Sequence, residues 1–310
     1  MSYLAIVGAS SQIAKDLIRS IDTAGSYQLL LYVRDVKGMR DWLVQIGRAD
    51  MYEVFPYIAY GQRAHDVVIN FVGVGDPAKA AIMAGEIFEI TLKFDQLILE
   101  DLELNPSRRY IFLSSGAAYG SDFNHPATKK SQATIPINAL TPENYYSIAK
   151  LYTEARHRAH ANLSIIDIRV FNYFCRHQNL KTRFLISDIV NALKSKSELL
   201  TSSNHMIRDY LHPSDFYNLI TCLLTSPAAN LALDCYSAAP IEKLALLDSL
   251  KKSFGLKYKL EKNLDSVINA TGQKPNYYST NKTAEEFGYI PKYTSLDTIT
   301  TEISAILNAT

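Results

Sequence analysis

The sequence YLAIVGASSQIA, residues 3–14, places a short apolar run directly before a turn of small residues. The run from Tyr3 to Val7 predicts a strand that is buried on both faces, as in a parallel sheet. Residues 15–18, KDLI, continue the stretch with a helical pattern. A strand, a small-residue turn and a helix N-terminus in this order favour a dinucleotide pyrophosphate, because backbone N–H groups can approach the phosphates. The alternative is a tight turn into a packed helix.

This turn differs from the glycine-rich pattern that is usual in such sites. It reads Gly8-x-x-Ser11-x-x-Ala14, so serine and alanine stand where two further glycines are common. Its position at the start of an alternating chain favours the cofactor interpretation. The contacts predicted from this turn come from Gly8, Ser10, Ser11, Gln12 and Ile13.

The second predicted strand, Gln28 to Val33, ends at charged residues that bear on the choice of cofactor. The residue at this strand end meets the adenosine ribose, where an acid binds the 2′-hydroxyl of NAD and an arginine accommodates the 2′-phosphate of NADP. Arg34 therefore predicts NADP(H), although a solvated surface arginine is an equal alternative. Asp35, one residue further on, leaves NAD open.

Further strands alternate with helices along the chain, which predicts an α/β fold built on a doubly wound parallel sheet. Residues 67–72 form the clearest of these strands, and Val72 and Gly73 at its end are predicted to contact the cofactor. The other predicted elements are strands at 52–57, 109–114, 164–170 and 231–236 and a long helix from Pro77 to Leu104.

The pattern loosens after residue 171, which predicts a division into two domains. A dinucleotide-binding domain is expected at 1–171, completed by about 209–238. A smaller mixed α/β domain, which would bind the substrate, is expected at 172–208 and 239–310.

A tyrosine and a lysine four residues apart, Tyr146 and Lys150, form the main catalytic candidate. Thr141 can cap a helix and Pro142 suits its first turn, so both candidate side chains are predicted to share one helix face. A nearby ammonium lowers the pKa of a phenol, which can then give or take a proton at a carbonyl or alcohol. Ser115 follows a predicted strand, at the edge where open α/β sheets bind ligands. Taken alone, the pair also fits chance spacing, and the serine an ordinary turn.

Composition argues against several classes of function. The chain has 310 residues, of which 32 are basic and 31 acidic, and a net charge of +1, so neither nucleic acid nor an anionic membrane is expected as partner. Cys175, Cys222 and Cys235 have no metal-ligand spacing and are predicted to be reduced thiols. No apolar run reaches the ~18 residues of a membrane span, and the N-terminus lacks the basic segment of a signal peptide. A cytoplasmic location is therefore expected.

Five segments together resemble the extended short-chain dehydrogenase/reductase family, in the NAD-dependent epimerase/dehydratase group that acts on nucleotide-diphosphate sugars. The segments are GASSQIA at 8–14, LSSGAAYG at 113–120, YSIAK at 146–150, RVFN at 169–172 and RDYLHPSD at 208–215. Each is weak alone, and their shared order over most of the chain makes the resemblance specific. It implies a Rossmann fold for the first domain.

The resemblance also implies roles for individual residues. Ser115 matches the hydroxyl that polarises the sugar carbonyl, and Tyr146 matches the general acid/base. Lys150 matches the residue that lowers the pKa of the tyrosine and binds the nicotinamide ribose. Asn172 and Arg208 match positions that contact the nucleotide diphosphate, to which an arginine donates paired, charge-assisted hydrogen bonds. A structural ion pair with an acid of residues 209–215 is the alternative for the arginine.

Departures from the family pattern narrow the function. Gly116 and Ala117 occupy the two positions after the serine, where relatives that dehydrate sugars between C4 and C6 carry an Asp-Glu pair. A 4,6-dehydratase is therefore not expected. Residues 175–177, CRH, stand where a Gly-Pro is common, and no acid stands out after the third strand to meet the adenine.

These observations predict an NADP(H)-dependent reductase of a keto group on a nucleotide-diphosphate deoxysugar, with hydride transfer assisted by Ser115, Tyr146 and Lys150. The first alternative is a nucleotide-sugar 4-epimerase with tightly bound NAD, which would use the same residues. The second is a protein that has lost catalysis and senses NADP. The helices predicted at 77–104 and 141–161 match those that pair in the family, so a homodimer is expected.

Overall fold

Strands and helices alternate through most of the chain, as the sequence predicts. The computed structural model describes residues 2–21, 27–74, 80, 82–182, 184–261 and 274–309. The strands are β1 (Ser2–Val7), β2 (Tyr27–Val33), β3 (Glu53–Pro56), β4 (Val67–Asn70), β5 (Arg109–Ser115), β6 (Ser164–Val170), β7 (Asn172–Tyr173), β8 (Glu198–Ser202), β9 (Ile207–Arg208), β10 (Tyr210–Leu211), β11 (Asn230–Cys235), β12 (Ile241–Glu242), β13 (Lys257–Glu261) and β14 (Asn276–Tyr277). The α-helices are α1 (Gln12–Ile21), α2 (Val36–Gln45), α3 (Glu86–Leu104), α4 (Pro142–Ala159), α5 (Leu185–Ser195), α6 (Pro213–Thr225), α7 (Lys243–Phe254) and α8 (Ser295–Asn308).

Seven of the described strands form one sheet in the order β11-β6-β5-β4-β1-β2-β3, and every neighbouring pair is parallel. In β1, successive residues are apolar because both faces of the strand are buried. Leu4 and Ile6 pack into the core on one face of the sheet, and Ala5 and Val7 pack on the other. A strand buried on both faces is what a parallel sheet between two helix layers requires. The predicted doubly wound parallel sheet is confirmed.

Helices cover both faces of this sheet. On one face, α1, α2 and α6 contribute Leu17, Leu43 and Phe216 to the core. On the other face, α3 contributes Ile98 and Leu102, and α4 lies beside α3. The carboxyl ends of the strands therefore meet at a single edge, where the segments after β1, β4 and β5 come together.

The predicted helix from Pro77 to Leu104 is interrupted in the structure, where residues 80, 82 and 83 are helical and a turn follows them. α3 begins at Glu86, after a turn in which Ala84 has a φ of 47°. A positive φ ends any right-handed helix, so the prediction of one continuous helix is wrong at this turn. Residues 75–79 and 81 lie outside the described part of the chain.

The C-terminal part of the chain builds a second hydrophobic core. α5, α7 and α8 contribute Ile189, Leu250 and Ile303 to it. Among the described residues, the small sheets β12-β9-β14 and β13-β8 belong to this part, and β10 pairs with β7. β11 returns to the main sheet beside β6. The division into two domains at residue 171 stays a prediction.

Two further features bear on the composition argument. Of the helices that the structure describes, none combines the length and the apolar character needed to cross a bilayer. All three cysteines lie in the described part and are free thiols, with Cys175 and Cys235 buried. Burial raises the pKa of both buried thiols, so they stay protonated at neutral pH.

Candidate active site

The turn after β1 has the shape that the predicted cofactor site requires. Gly8 has a φ of 81°, and a Cβ on it would lie 2.9 Å from backbone atoms of Phe71 and Val72. Ser11 stands at a usual glycine position, and its Oγ accepts a hydrogen bond from the Ala14 amide at 3.3 Å. The serine thus caps α1, which explains how a hydroxyl is accommodated at this position.

The start of α1 offers backbone donors to an anion. The amides of Gln12 and Ile13 belong to the first helical turn, whose N–H groups have no acceptor within the helix. Ser10 precedes them at the exposed rim of the turn. The dipole at the helix N-terminus favours negative charge at the same place. These residues fit the pyrophosphate of a nicotinamide dinucleotide.

The end of β4 connects this turn to the catalytic candidates. The Val72 amide donates to Asn70 Oδ1 at 2.9 Å, which holds the backbone after the strand. Gly73 follows, and a Cβ on it would lie 3.5 Å from Lys150 Nζ. Val72 and Gly73 therefore lie between the first turn and the lysine, as a contact to the cofactor requires.

Arg34 and Asp35 differ in their surroundings at the end of β2. Arg34 is exposed, so its side chain can reach a ribose phosphate. The Asp35 carboxylate caps α2 by accepting from the Gly38 amide at 2.9 Å. Asp35, the residue that leaves NAD possible as the cofactor, therefore stabilises the start of α2. The choice between NAD and NADP stays a prediction.

Ser115, Tyr146 and Lys150 come together at the edge of the sheet. α4 begins as predicted, with a capping box that starts at Thr141. Tyr146 and Ser115 share a hydrogen bond. Lys150 is buried, and its Nζ donates to the Leu113 carbonyl at 2.7 Å. The structure thus brings the three residues together, while their catalytic roles stay predictions.

Burial and Ser115 act on the pKa of Tyr146 in opposite directions. Burial raises the pKa of Tyr146 above its ordinary value, and the hydrogen bond with Ser115 opposes this effect without reversing it. That Lys150 lowers this pKa stays a prediction. The ammonium lies 5.9 Å from the centre of the Tyr146 ring, 4.3 Å from that of Phe112, and binds a backbone carbonyl. Burial lowers the pKa of Lys150 to about 8, although Glu154 acts in the opposite direction.

Tyr277 enters the site from a distant part of the chain, on β14. Its hydroxyl lies 3.4 Å from Ser115 Oγ, and the residue is 4% exposed. Its ring packs edge-on against Phe123 and Phe171. Tyr277 could not be found from the sequence, because 162 positions separate it from the serine and no local pattern marks it.

Arg208 lies on β9, which pairs with the strand of Tyr277, and Asn172 lies on β7, which pairs with β10. The Asn172 amide donates to the Asp209 carbonyl at 3.0 Å. Arg208 is buried, and its guanidinium donates to the Lys274 carbonyl at 2.6 Å. The carboxylates of Asp209 and Asp215 both accept from backbone amides. Contacts of Asn172 and Arg208 with a diphosphate stay predictions.

The positions after Ser115 leave no room for an acid pair. A Cβ on Gly116 would lie 2.5 Å from the Phe171 ring. Ala117 is buried, and its amide donates to Ser115 Oγ at 3.1 Å. The serine thus caps the short 3₁₀ turn Gly116–Tyr119, and that turn is packed rather than open.

Residues 4–239 match the model of a known protein family, described as the NAD dependent epimerase/dehydratase family. The chain belongs to this family. The match confirms the resemblance drawn from the five sequence segments, and with it an enzyme of the extended short-chain dehydrogenase/reductase type. No curated protein sequence matches the chain significantly.

Solved structures of nucleotide-sugar enzymes share the fold of this protein over the whole length of its chain. UDP-glucuronic acid 4-epimerase from Bacillus cereus, in complex with UDP-glucuronic acid and NAD, is 13% identical with a TM-score of 0.78 and covers 99% of this chain and 100% of its own. UDP-glucose-4-epimerase from Stenotrophomonas maltophila, with bound NAD and formylated UDP-arabinopyranose, is 15% identical with a TM-score of 0.80, and the match covers 100% of both chains. dTDP-glucose 4,6-dehydratase from Bacillus anthracis, in complex with NAD, is 15% identical with a TM-score of 0.78, over 100% of this chain and 97% of its own.

Proposed function

We propose that the protein is a nucleotide-sugar 4-epimerase that keeps NAD bound through its catalytic cycle. The observation that carries the proposal is the set of Ser115, Tyr146 and Lys150 at the sheet edge, with Gly116 and Ala117 in place of dehydratase acids. Structures with the same fold over the full chain include 4-epimerases in complex with NAD and UDP-sugars. They favour the epimerase over the NADP(H)-dependent reductase that the sequence alone predicts.

The proposed reaction needs a group that moves a proton at the C4 oxygen of the sugar. Tyr146 takes the proton of the C4 hydroxyl in the first half and returns it in the second, while Ser115 hydrogen-bonds to the same oxygen. A bound NAD would supply the hydride acceptor and donor for C4 of the sugar, and release to the opposite face would invert that carbon. Because burial keeps the phenol protonated, the positive charge of Lys150 is needed to favour its ionisation.

The cofactor would extend along the edge from the first turn to Lys150. We assign its pyrophosphate to the turn after β1 and its nicotinamide ribose to Lys150 beside Gly73. Arg34 lies at the adenosine end, where it would face the ribose. The residues that we assign to the pyrophosphate are Gly8, Ser10, Ser11, Gln12 and Ile13.

Cations beside Tyr277 fit the diphosphate of the substrate. The Lys274 ammonium lies 4.9 Å from the centre of the Tyr277 ring, and the Arg208 guanidinium lies 5.9 Å from it. A diphosphate would accept charge-assisted hydrogen bonds from these two cations, so we place it here.

An NADP(H)-dependent reductase of a keto sugar is the second candidate, and Arg34 is the observation that favours it. Arg34 is exposed and would pair with a 2′-phosphate, whereas the neighbouring Asp35 carboxylate is engaged in a helix cap. The protonated phenol of Tyr146 also suits donation to a carbonyl.

The nucleotide that the purified protein carries separates the two candidates. The protein is denatured, the released nucleotide is identified by mass spectrometry, and protein without nucleotide is titrated with NADH and NADPH. Stoichiometric NAD, with C4 epimerisation of UDP-glucose or UDP-glucuronic acid in the absence of added cofactor, supports the epimerase. A site that prefers NADPH and shows no epimerisation contradicts it and supports the reductase.

We also propose that the protein forms a homodimer through α3 and α4. These helices lie side by side and expose Leu92 and Tyr152, which two copies could cover. Light scattering coupled to gel filtration should show a dimer, and Tyr152→Glu should convert it to a monomer. A monomeric wild-type protein would contradict this assembly.

A further inference from the structure

Glu154 is a buried carboxylate that the proposed mechanism leaves without a task. It lies on α4, one helical turn after Lys150, and is 4% exposed. Its Oε1 accepts from Ser114 Oγ at 2.5 Å. Its two oxygens also accept from Arg169, from Nε at 3.0 and 3.1 Å and from a terminal nitrogen at 2.5 Å. These bonds join α4 to β5 and β6.

The bond to Ser114 holds the strand end that carries Ser115. Directly before the catalytic serine, the Leu113 carbonyl binds Lys150 and the Ser114 hydroxyl binds Glu154. The lysine and the glutamate are four residues apart, so they lie on one face of α4 and hold the strand at adjacent points. A shift of the strand end along the helix would break both bonds.

Glu154 also belongs to a group of charges with a negative surplus. Arg169 lies between Glu154 and Asp234, whose carboxylate is 3.5 Å from the guanidinium. Among the described side chains, two carboxylates thus share this guanidinium. Asp234 accepts further hydrogen bonds from hydroxyl groups, which carry no charge. The charge of Glu154 acts on the buried Lys150 ammonium and raises its pKa.

The other acids whose charges act on Lys150 are balanced in a different way. They are Asp95 on α3 and Asp167 on β6. In the described part of the chain, three cations bind these two acids: His157, Arg156 and Arg158. Because the cations outnumber the acids, this second group has no surplus of negative charge. Tyr146, whose ring centre lies 5.9 Å from the ammonium, has a pKa raised by burial and is neutral.

We propose that Glu154 is a positioning residue of the active site, a role that rests on the proposed function. Its carboxylate holds the strand end that carries Ser115 against α4, and its charge keeps Lys150 an ammonium in a buried place. Lys150 then remains charged at the pH at which the enzyme works. Binding of the ribose hydroxyls and ionisation of the phenol both depend on that charge.

The test titrates the Lys150 ammonium by NMR in protein labelled with ¹³C at the lysine ε-carbons. Loss of the signal in Lys150→Met assigns it. Glu154→Gln keeps the size and an acceptor oxygen but removes the charge, so the titration midpoint should fall by about one pH unit or more. An unchanged midpoint overturns the proposal.

Glu302→Gln is the matched control. Glu302 is a buried glutamate on α8, held by Arg176 and His212, and its loss should lower stability without moving the Lys150 midpoint. An equal shift in both variants would show a general effect of removing a buried acid and would overturn the assignment. If Glu154→Gln does not fold, Asp234→Asn removes the same surplus charge while leaving the bonds of Glu154 in place. A lower midpoint then supports the proposal, and an unchanged one overturns it.

Turnover provides the second readout. Wild-type activity should be lost as the pH rises through the Lys150 midpoint, and Glu154→Gln should move this loss to lower pH. Ser114→Ala removes the bond to the strand but no charge, so it should lower kcat by about tenfold without moving the pH profile. Unchanged kcat in that variant overturns the role in positioning the strand. Because the NMR titration needs no substrate, it still tests Glu154 if no nucleotide sugar is turned over.

Discussion

Helix α4 carries buried charged side chains in both halves of its length. The two halves differ in how these charges are balanced by their neighbours. In the first half, Lys150 and Glu154 face the candidate active site, and burial holds the pKa of Lys150 at about 8, close to neutral pH. In the second half, His157 lies between Asp95 and Asp167, with each ring nitrogen 2.6 Å from a carboxylate oxygen. A group that titrates near neutral pH suits catalysis, whereas a fully hydrogen-bonded one suits stability.

Removing the phenol in the first half should have the largest effect, and on turnover alone. Tyr146→Phe should lower kcat about 10²–10⁴-fold while the nucleotide content stays at the wild-type value. Tyr152→Phe, on the same helix and half exposed, is the control and should turn over normally. Initial rates and nucleotide content per mole of protein check both. Normal turnover in Tyr146→Phe would show that another group moves the proton.

Removing the histidine in the second half should affect stability instead. His157→Gln leaves Asp95 and Asp167 buried with one cation fewer, which should cost about 3–5 kcal/mol of unfolding free energy. His160→Gln, at the partly exposed end of the helix, should change it by no more than about 0.5 kcal/mol. Urea unfolding measures both variants. If His157→Gln loses kcat as severely as Tyr146→Phe, the two groups are not separate in function.

The pH dependence of stability tests the same difference between the two halves of α4. Burial alone lowers the pKa of His157, but Asp167 and Asp95 outweigh it and raise the pKa to about 9, above the ~6.5 of an unfolded histidine. The stabilisation is therefore complete below about pH 6.5 and is lost as the pH rises through about 9.

Between pH 6 and pH 10, the wild-type protein should lose about 3 kcal/mol of unfolding free energy relative to His157→Gln. Urea unfolding at intervals across this range measures the difference. Parallel curves for the two proteins would show that the histidine is neutral in the folded state.

The smallest effect is expected from Tyr277, which lies on β14 rather than on α4 and contacts Ser115 in the candidate active site. Tyr277→Phe keeps the ring packing and removes a hydroxyl 3.4 Å from Ser115 Oγ, so kcat/KM should fall by about fivefold, equivalent to about 1 kcal/mol. Tyr278→Phe is the neighbouring control. A loss as large as that of Tyr146→Phe would make Tyr277 part of the catalytic set.

Much of the fold and part of the site could be predicted because they depend on local patterns. The apolar run before Gly8 has no polar alternation, which is enough to place a buried strand before the cofactor turn. The spacing of Tyr146 and Lys150 places both side chains on one helix face, and Ser115, predicted just after a strand, is the last residue of β5. Even Glu154 could have been found, since it lies one further turn along the same face.

Contacts between distant elements could not be predicted in this way. Tyr277 reaches Ser115 across 162 positions, and Lys150 binds the Leu113 carbonyl rather than the phenol because β5 and α4 pack closely. The sequence by itself determined which residue types lie along each element and at the sheet edge. The tertiary structure alone decided which charges are buried together and in which direction the pKa of Tyr146 shifts. Desolvation and Coulomb energies depend on distances between elements, and no local pattern contains those distances.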